Sequence, residues 1–200
     1  MLHRRVGLAL GGLLGVGVVG MWVALAGPID PPAGPVASTL KTLGEVEPRI
    51  AINATNTPGD ATAVFRITAP GSYYLPANVA GVSGRDGIRV LADNVTIDLG
   101  GFTLQGVAGS LTGITSDGLA DNVVVLNGTV RNWGVSGIDL MANAGFATGT
   151  RIQGVHAISN GQRGISVPAE AIVSRCFVSL KGSEGIRVRS FLGSLGHGVV

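Results

Sequence analysis

Residues 87–106 read GIRVLADNVTIDLGGFTLQG, and residues 113–134 read GITSDGLADNVVVLNGTVRNWG. Both open on Gly-Ile, pass through Asp-Asn-Val, alternate apolar with polar residues and close on glycine. Gly-Ile returns at Gly137-Ile138, Gly164-Ile165 and Gly185-Ile186, so successive copies start 26, 24, 27 and 21 residues apart. The closing glycines Gly106, Gly134, Gly161 and Gly182 move in step. Two landmarks recurring together define an internal repeat, and a period of twenty-odd residues marks a solenoid.

Alternation within each copy decides the kind of solenoid. Val95, Ile97 and Leu99 precede Phe102 and Leu104; the next copy has Val123, Val125 and Val130. Ile152, Val155 and Ala157 follow, then Val173, Cys176 and Val178. Period two means strands with one buried face. A leucine-rich repeat has a similar period but needs a leucine scaffold, which is absent here. Strands stacked coil upon coil form parallel sheets, and Gly and Asn at the corners permit left-handed turns. The expected fold is all-β, a parallel β-helix, right-handed by the usual hand of parallel connections. Ile88, Ile114, Ile138, Ile165 and Ile186 should form one buried stack. Asn94 and Asn122 fall at one corner of successive coils and should bond amide to amide along the axis. N-glycosylation at Asn53, Asn94 or Asn127 is the competing reading of these Asn-x-Thr sites.

Outward from the repeat, the N-terminus carries an export signature. MLHRR is basic, Val6 to Val23 holds no charge, and Ala24-Leu25-Ala26 has the A-x-A pattern of a cleavage site. Residues 1–26 read as a signal peptide. A retained anchor is the alternative, with Gly7, Gly11 and Gly15 as a small-residue stripe. Either way the remainder lies outside the cytoplasm, secreted, periplasmic or at the cell surface. Residues 27–38, GPIDPPAGPVAS, form a Pro-rich linker. Residues 39–86 should hold an N-terminal cap and the first strands, AVFRI and SYYLP. The cap is a short helix over Leu40–Glu47, ended by Pro48. Residues 87–200 are the coils. The last twelve residues, RSFLGSLGHGVV, fit the repeat badly, as if the chain stopped in mid-coil.

Composition narrows the function. The chain has 33 glycines, 13% charged residues and a formal charge of +2. Arg4 and Arg5 lie in the export segment, and from Gly27 onward basic and acidic residues balance at 12 each. The basic footprint of a nucleic-acid binder is therefore missing. One cysteine, Cys176, permits no intrachain disulfide and sits at an inward position.

PPAGPVAS, TLGEVEPRIAI, NTPGDA, ITAPGSYYL, NVTIDLGGFTL, LNGTVRNWG and the Gly-Ile starts resemble the pectate-lyase-like right-handed β-helix superfamily. They look closest to a group of uncharacterised secreted bacterial β-helix repeat proteins. The resemblance covers roughly residues 31–188 and implies the fold. The wider superfamily it points to holds polysaccharide lyases, hydrolases and esterases beside non-catalytic binding proteins and adhesins.

A β-helix enzyme builds its site from outward side chains stacked in adjacent coils. The first-strand column is Arg89, Thr115, Asp139, Ser166 and Arg187. On the second strand the columns are Asp98, Leu126, Gln153 and Ser174; Gly101, Thr129, His156 and Phe177; and Thr103, Arg131, Ile158 and Ser179. None holds the two carboxyl groups that glycoside hydrolysis requires. Gly196-His197-Gly198 resembles a polygalacturonase motif, but IVSRCFV (172–178) lacks the aspartates that should lie one coil earlier. No catalytic residue is therefore assigned. Asp93 and Asp121 occupy equivalent corners with Asp117 nearby, a candidate calcium site; the competing reading is solvated turns. Trp133 is expected outward, covering a corner. His156 reads as a surface residue. The expected function is a non-catalytic surface protein whose partner is a polysaccharide or another surface component. A polysaccharide lyase or hydrolase is the alternative. Without a C-terminal cap, end-to-end self-association through the edge at Gly185–Arg189 is also expected.

Overall fold

A computed structural model of the chain describes residues 48–117, 120–141, 147–180, 182 and 184–189. The stretches read as export segment, linker and cap helix, and the Gly-His-Gly tail, lie outside them. β1 (Ile50–Ala51) starts the stack. The first coil adds β2 (Ala63–Ile67), β3 (Gly71–Tyr74) and β4 (Val79–Ala80). The second holds β5 (Asp86–Val90), β6 (Val95–Asp98) and β7 (Thr103–Gln105). The third holds β8 (Ile114–Ser116) and β9 (Val123–Arg131), the fourth β10 (Ser136–Asp139) and β11 (Arg151–Asn160). β12 (Arg163–Pro168), β13 (Ile172–Ser174) and β14 (Phe177–Leu180) form the fifth, and β15 (Glu184–Arg189) opens a sixth. Every strand pairing between coils is parallel. The molecule is a parallel β-solenoid, as the repeat requires.

Two sheets run along it. A six-stranded front sheet has the order β15-β12-β10-β8-β5-β2. A nine-stranded sheet contains β1, β3, β6, β9, β11 and β13, joined by β4, β7 and β14. Its strands bend midway, at Asn127 and Arg175 with φ of 51° and 53° and at Gly154 with φ of 65°. Each coil of this bent sheet therefore has two limbs.

The isoleucine stack is real and in register. Ile88 pairs with Ile114, Ile114 with Ile138, Ile138 with Ile165 and Ile165 with Ile186. The first four are fully buried, but Ile186 is 37% exposed. That corrects the expectation of burial along the whole stack, because Ile186 belongs to the last described strand and has a partner strand on one side only. The glycine before each isoleucine answers to the same stacking. A Cβ on Gly87 would lie 2.4 Å from the Gly113 carbonyl oxygen, and one on Gly113 would lie 2.5 Å from that of Gly137. Backbone oxygen cannot yield as a side chain can, so the corner admits only glycine.

The asparagine corner also holds. Asn94 and Asn122 have φ of 55° and 54°, and the Asn122 Nδ2 donates to the Asn94 Oδ1 at 2.9 Å. In the next coil Gly149, with φ of 68°, takes that place.

Trp133 departs from the expected outward position: it is buried, 1% exposed. Asn132 before it is left-handed (φ 58°), which breaks the strand alternation and turns the indole inward. The ring fills space that side chains at Gly81 and Gly87 would occupy, within 2.7 and 2.8 Å of its Cη2. Its Nε1 donates to the Leu104 carbonyl at 3.1 Å. The Trp133 N–H donates at 3.1 Å to Oδ1 of Asn160, and Asn160 Nδ2 donates to the Val130 carbonyl at 3.2 Å. Asn160 is fully buried, so these bonds offset its desolvation and tie the fourth coil to the third.

Candidate functional site

Alternation on the front sheet sends one residue per strand outward. The pairings place Arg66, Arg89, Thr115, Asp139, Ser166 and Arg187 in one column. This is the column read from the sequence, extended by Arg66. Sequence reasoning missed the row that completes it, at the strand starts: Asp86 in β5, then Arg163 and Glu184, paired across β12 and β15. Those positions share the isoleucine parity and read as inward. At the corner their carboxylates and guanidinium instead reach the outer column.

The result is a charged ladder. Arg66 meets Asp60 at 3.0 Å. Arg89 lies 2.7 Å from Asp86 and 3.8 Å from Asp117. Arg163 lies 2.9 Å from Glu184 and 3.8 Å from Asp139, and Arg187 lies 3.7 Å from Glu184. Asp86 is buried and its second oxygen accepts the Thr112 N–H at 3.0 Å. The hydrogen bond to Asp86 raises the Arg89 guanidinium further above its already high value. The Thr62 hydroxyl and N–H hold Asp60 down at about 2. Thr115, between the two charged clusters, and Ser166, between Asp139 and Arg187 within the second, are buried. The Ser166 hydroxyl donates to the Met141 sulfur at 3.1 Å, and Asp139 accepts the Met141 N–H at 3.1 Å.

The three aspartates proposed for calcium are not gathered. Asp93 accepts the Asp121 N–H at 2.9 Å, and Asp121 accepts the Thr148 N–H at 2.6 Å and its hydroxyl at 3.2 Å. Each of these carboxylates is thus capped by a backbone N–H of the next coil, Asp93 by that of Asp121 and Asp121 by that of Thr148. Asp117 faces Arg89 instead. Among the described residues no group of three or more His, Cys, Asp or Glu is close enough to share an ion. One oxygen of Asp93 and one of Asp121 accept a backbone N–H, the contacts of a turn aspartate.

Two columns on the bent sheet need correction. Thr103, not Gly101, pairs with Thr129, and Gln105, not Thr103, pairs with Arg131. The second coil has two extra residues around the left-handed Gly100 and Gly101, which displace everything beyond. The rest of those columns stands: Thr129, His156 and Phe177, then Arg131, Ile158 and Ser179. Asp98 is engaged by Arg49 at 3.0 Å and by the Gly100 N–H at 2.9 Å. Cys176 is half-buried against the core, its thiol 3.7 Å from the Ile152 carbonyl.

No protein-family model matches the chain, and neither does any curated protein or solved structure.

Proposed function

We propose that the chain is an extracytoplasmic, non-catalytic β-solenoid that binds a polysaccharide along the outer face of its front sheet. The ladder of guanidinium and carboxylate groups, repeated at coil spacing on rigid strands, carries this reading. Guanidinium groups donate to sugar hydroxyls and carboxylates accept from them. Side chains already held by their neighbours lose little freedom on binding. The export signature and the balanced charge from Gly27 onward support the same reading.

Hydrolysis or elimination asks for a carboxyl group or base free to move a proton. Among the described residues Asp60, Asp86, Asp93, Asp98, Asp121 and Asp139 each accept a backbone N–H, Asp117 and Glu184 face arginines, and only the exposed Glu170 has no such contact. These are the contacts of side chains that hold the coils together and shape a surface.

The test is retention of the full chain on a panel of immobilised neutral and acidic polysaccharides, with released sugars measured in parallel. Retention without product, weakened in Arg66→Gln and Arg187→Gln, is the expected result. Release of unsaturated or reducing ends would establish the lyase or hydrolase alternative. Retention on none of the panel would sink the reading.

A further inference from the structure

Arg66, Arg89, Arg163 and Arg187 on the front sheet each lie within 4 Å of a carboxylate. On the outer surface of the bent sheet Arg131, Arg151 and Arg175 are exposed, and none forms an ion pair among the described residues. Asp98 on that surface is taken by Arg49, and Glu170, in the turn ahead of β13, pairs with none of the three.

The same surface carries the two most exposed large apolar side chains among the described residues, Phe177 at 55% and Ile172 at 54%. Register interleaves them with the cations. Ile172 stacks on Arg151, and Phe177 on His156, ring centroids 5.8 Å apart and edge to face. Arg175 sits at the bend between Ile172 and Phe177, and Arg131 pairs with Ile158, two residues beyond His156. Strand and coil spacings bring the six side chains within a patch of roughly 10 by 23 Å.

We propose that this patch docks on an anionic lipid surface. Large exposed apolar groups among unpaired cations mark an interaction site rather than ordinary surface. Ile152 and Val155 are both buried, one on each side of the bend, so the outer surface there is a convex ridge. A ridge with apolar tips suits a flat bilayer, whereas small ligands sit in concave sites with placed polar groups. Ile172 offers a sugar neither a ring face nor a hydrogen bond. Headgroup phosphates match the arginine forks, and Phe177 and Ile172 reach the headgroup–acyl boundary. The attraction comes from local segregation of charge, since the net charge from Gly27 onward is balanced. If Val6–Val23 is retained as an anchor, it supplies the bilayer at high effective concentration.

Each arginine near an anionic leaflet is worth about fivefold in partitioning, so the three together give on the order of a hundredfold. The effect weakens as the screening length falls from about 30 to about 8 Å between low and physiological salt.

The test is co-sedimentation of the full chain with vesicles of phosphatidylcholine alone or with one quarter phosphatidylglycerol, at low salt. The combined variant Arg131→Gln, Arg151→Gln, Arg175→Gln should lose about a hundredfold in binding to the anionic vesicles and nothing to the neutral ones. The N-terminal segment is common to both proteins and cancels. Arg151→Gln alone should lose about fivefold, which keeps the test valid if the triple variant fails to fold. In anionic vesicles with brominated acyl chains, Phe177→Trp should be quenched beyond the parent's own tryptophans. Thr96→Trp, on the same surface three coils earlier, should not. Unchanged anionic preference in the variants, or an unquenched Trp at 177, overturns the proposal. So does polygalacturonate binding that displaces the vesicles and is lost in the triple variant, which would make a glycan the occupant. A dimer abolished by the triple variant would make it a second copy. Failure here leaves polysaccharide binding at the front sheet, probed through Arg66 and Arg187, untouched.

Discussion

Ile138→Ala tests the stacking principle at the centre of the fold. Ile138 is fully buried, with Ile114 on one side and Ile165 on the other. The change removes three carbons, worth about 0.8 kcal/mol each, or roughly 2.4 kcal/mol of transfer free energy. Neighbours held on hydrogen-bonded strands cannot collapse into the gap, so a cavity cost raises the total toward about 3–5 kcal/mol. In a solenoid each residue acts through the coils above and below, and Ile138 touches both. Ile186 is 37% exposed and pairs with Ile165 alone among the described residues, so Ile186→Ala should cost less than about 2 kcal/mol. Urea unfolding followed by circular dichroism measures both, with unchanged m showing that stability alone has moved. Ile138→Val should cost less than Ile138→Ala, at about 0.5–1.5 kcal/mol. A cost for Ile138→Ala no greater than for Ile186→Ala would mean that the stack does not bear the stability assigned to it.

Gly113→Ala should cost at least about 1–3 kcal/mol in the same assay, because the new methyl meets the Gly137 carbonyl oxygen and Val130 Cγ1, both at 2.5 Å. A neutral result would show that the corner opens more readily than its contacts imply. Asn122→Ala loses both the amide bond to Asn94 and tolerance of φ 54°, and should cost about 1–3 kcal/mol; Asn122→Gly keeps the backbone and should cost less, as Gly149 does the same work one coil on. Equal losses from the two substitutions would remove the left-handed corner from the explanation. Asp60 is lowered from 3.8 to about 2 by Thr62, so its contribution is fully present above about pH 4 and is lost as pH falls toward 2. Melting curves of Asp60→Asn and the parent should therefore converge across that window; a gap that stays constant from pH 5 to pH 2 would contradict the assignment.

Residues that repeat were legible and residues that break the repeat were not. Period-two alternation and the Gly-Ile landmarks fixed the sheets, the isoleucine register and the asparagine corner, because a stacked coil imposes one environment on equivalent positions. The paired columns failed at Gly100-Gly101, where two extra residues enter one coil only. The front-sheet ladder was half visible. Arg89, Asp139 and Arg187 follow alternation, whereas Asp86, Arg163 and Glu184 sit at strand starts, where parity no longer predicts direction. Trp133 was misread for a related reason. Its neighbour Asn132 is left-handed, and one such residue reverses the side to which the next side chain points.

Trp133 also shows why the glycines and the tryptophan belong to one device. The glycine corner leaves a void on the core side between the front sheet and the second limb. In the last described coils small and β-branched side chains meet it: a Cβ on Gly164 would lie 2.2 Å from Val178 Cγ1. At the second and third coils Trp133 fills it, lying against Gly81, Gly87 and Gly113, with Leu104 accepting from its indole. A large ring with one polar atom suits this place because the corner carbonyl would otherwise lack that donor. Asn160 completes the arrangement by fixing the Trp133 backbone from the coil beyond. Such a contact spans residues 81 to 160, so no periodic reading of single copies reveals it. It becomes visible only once the coils are laid on one another.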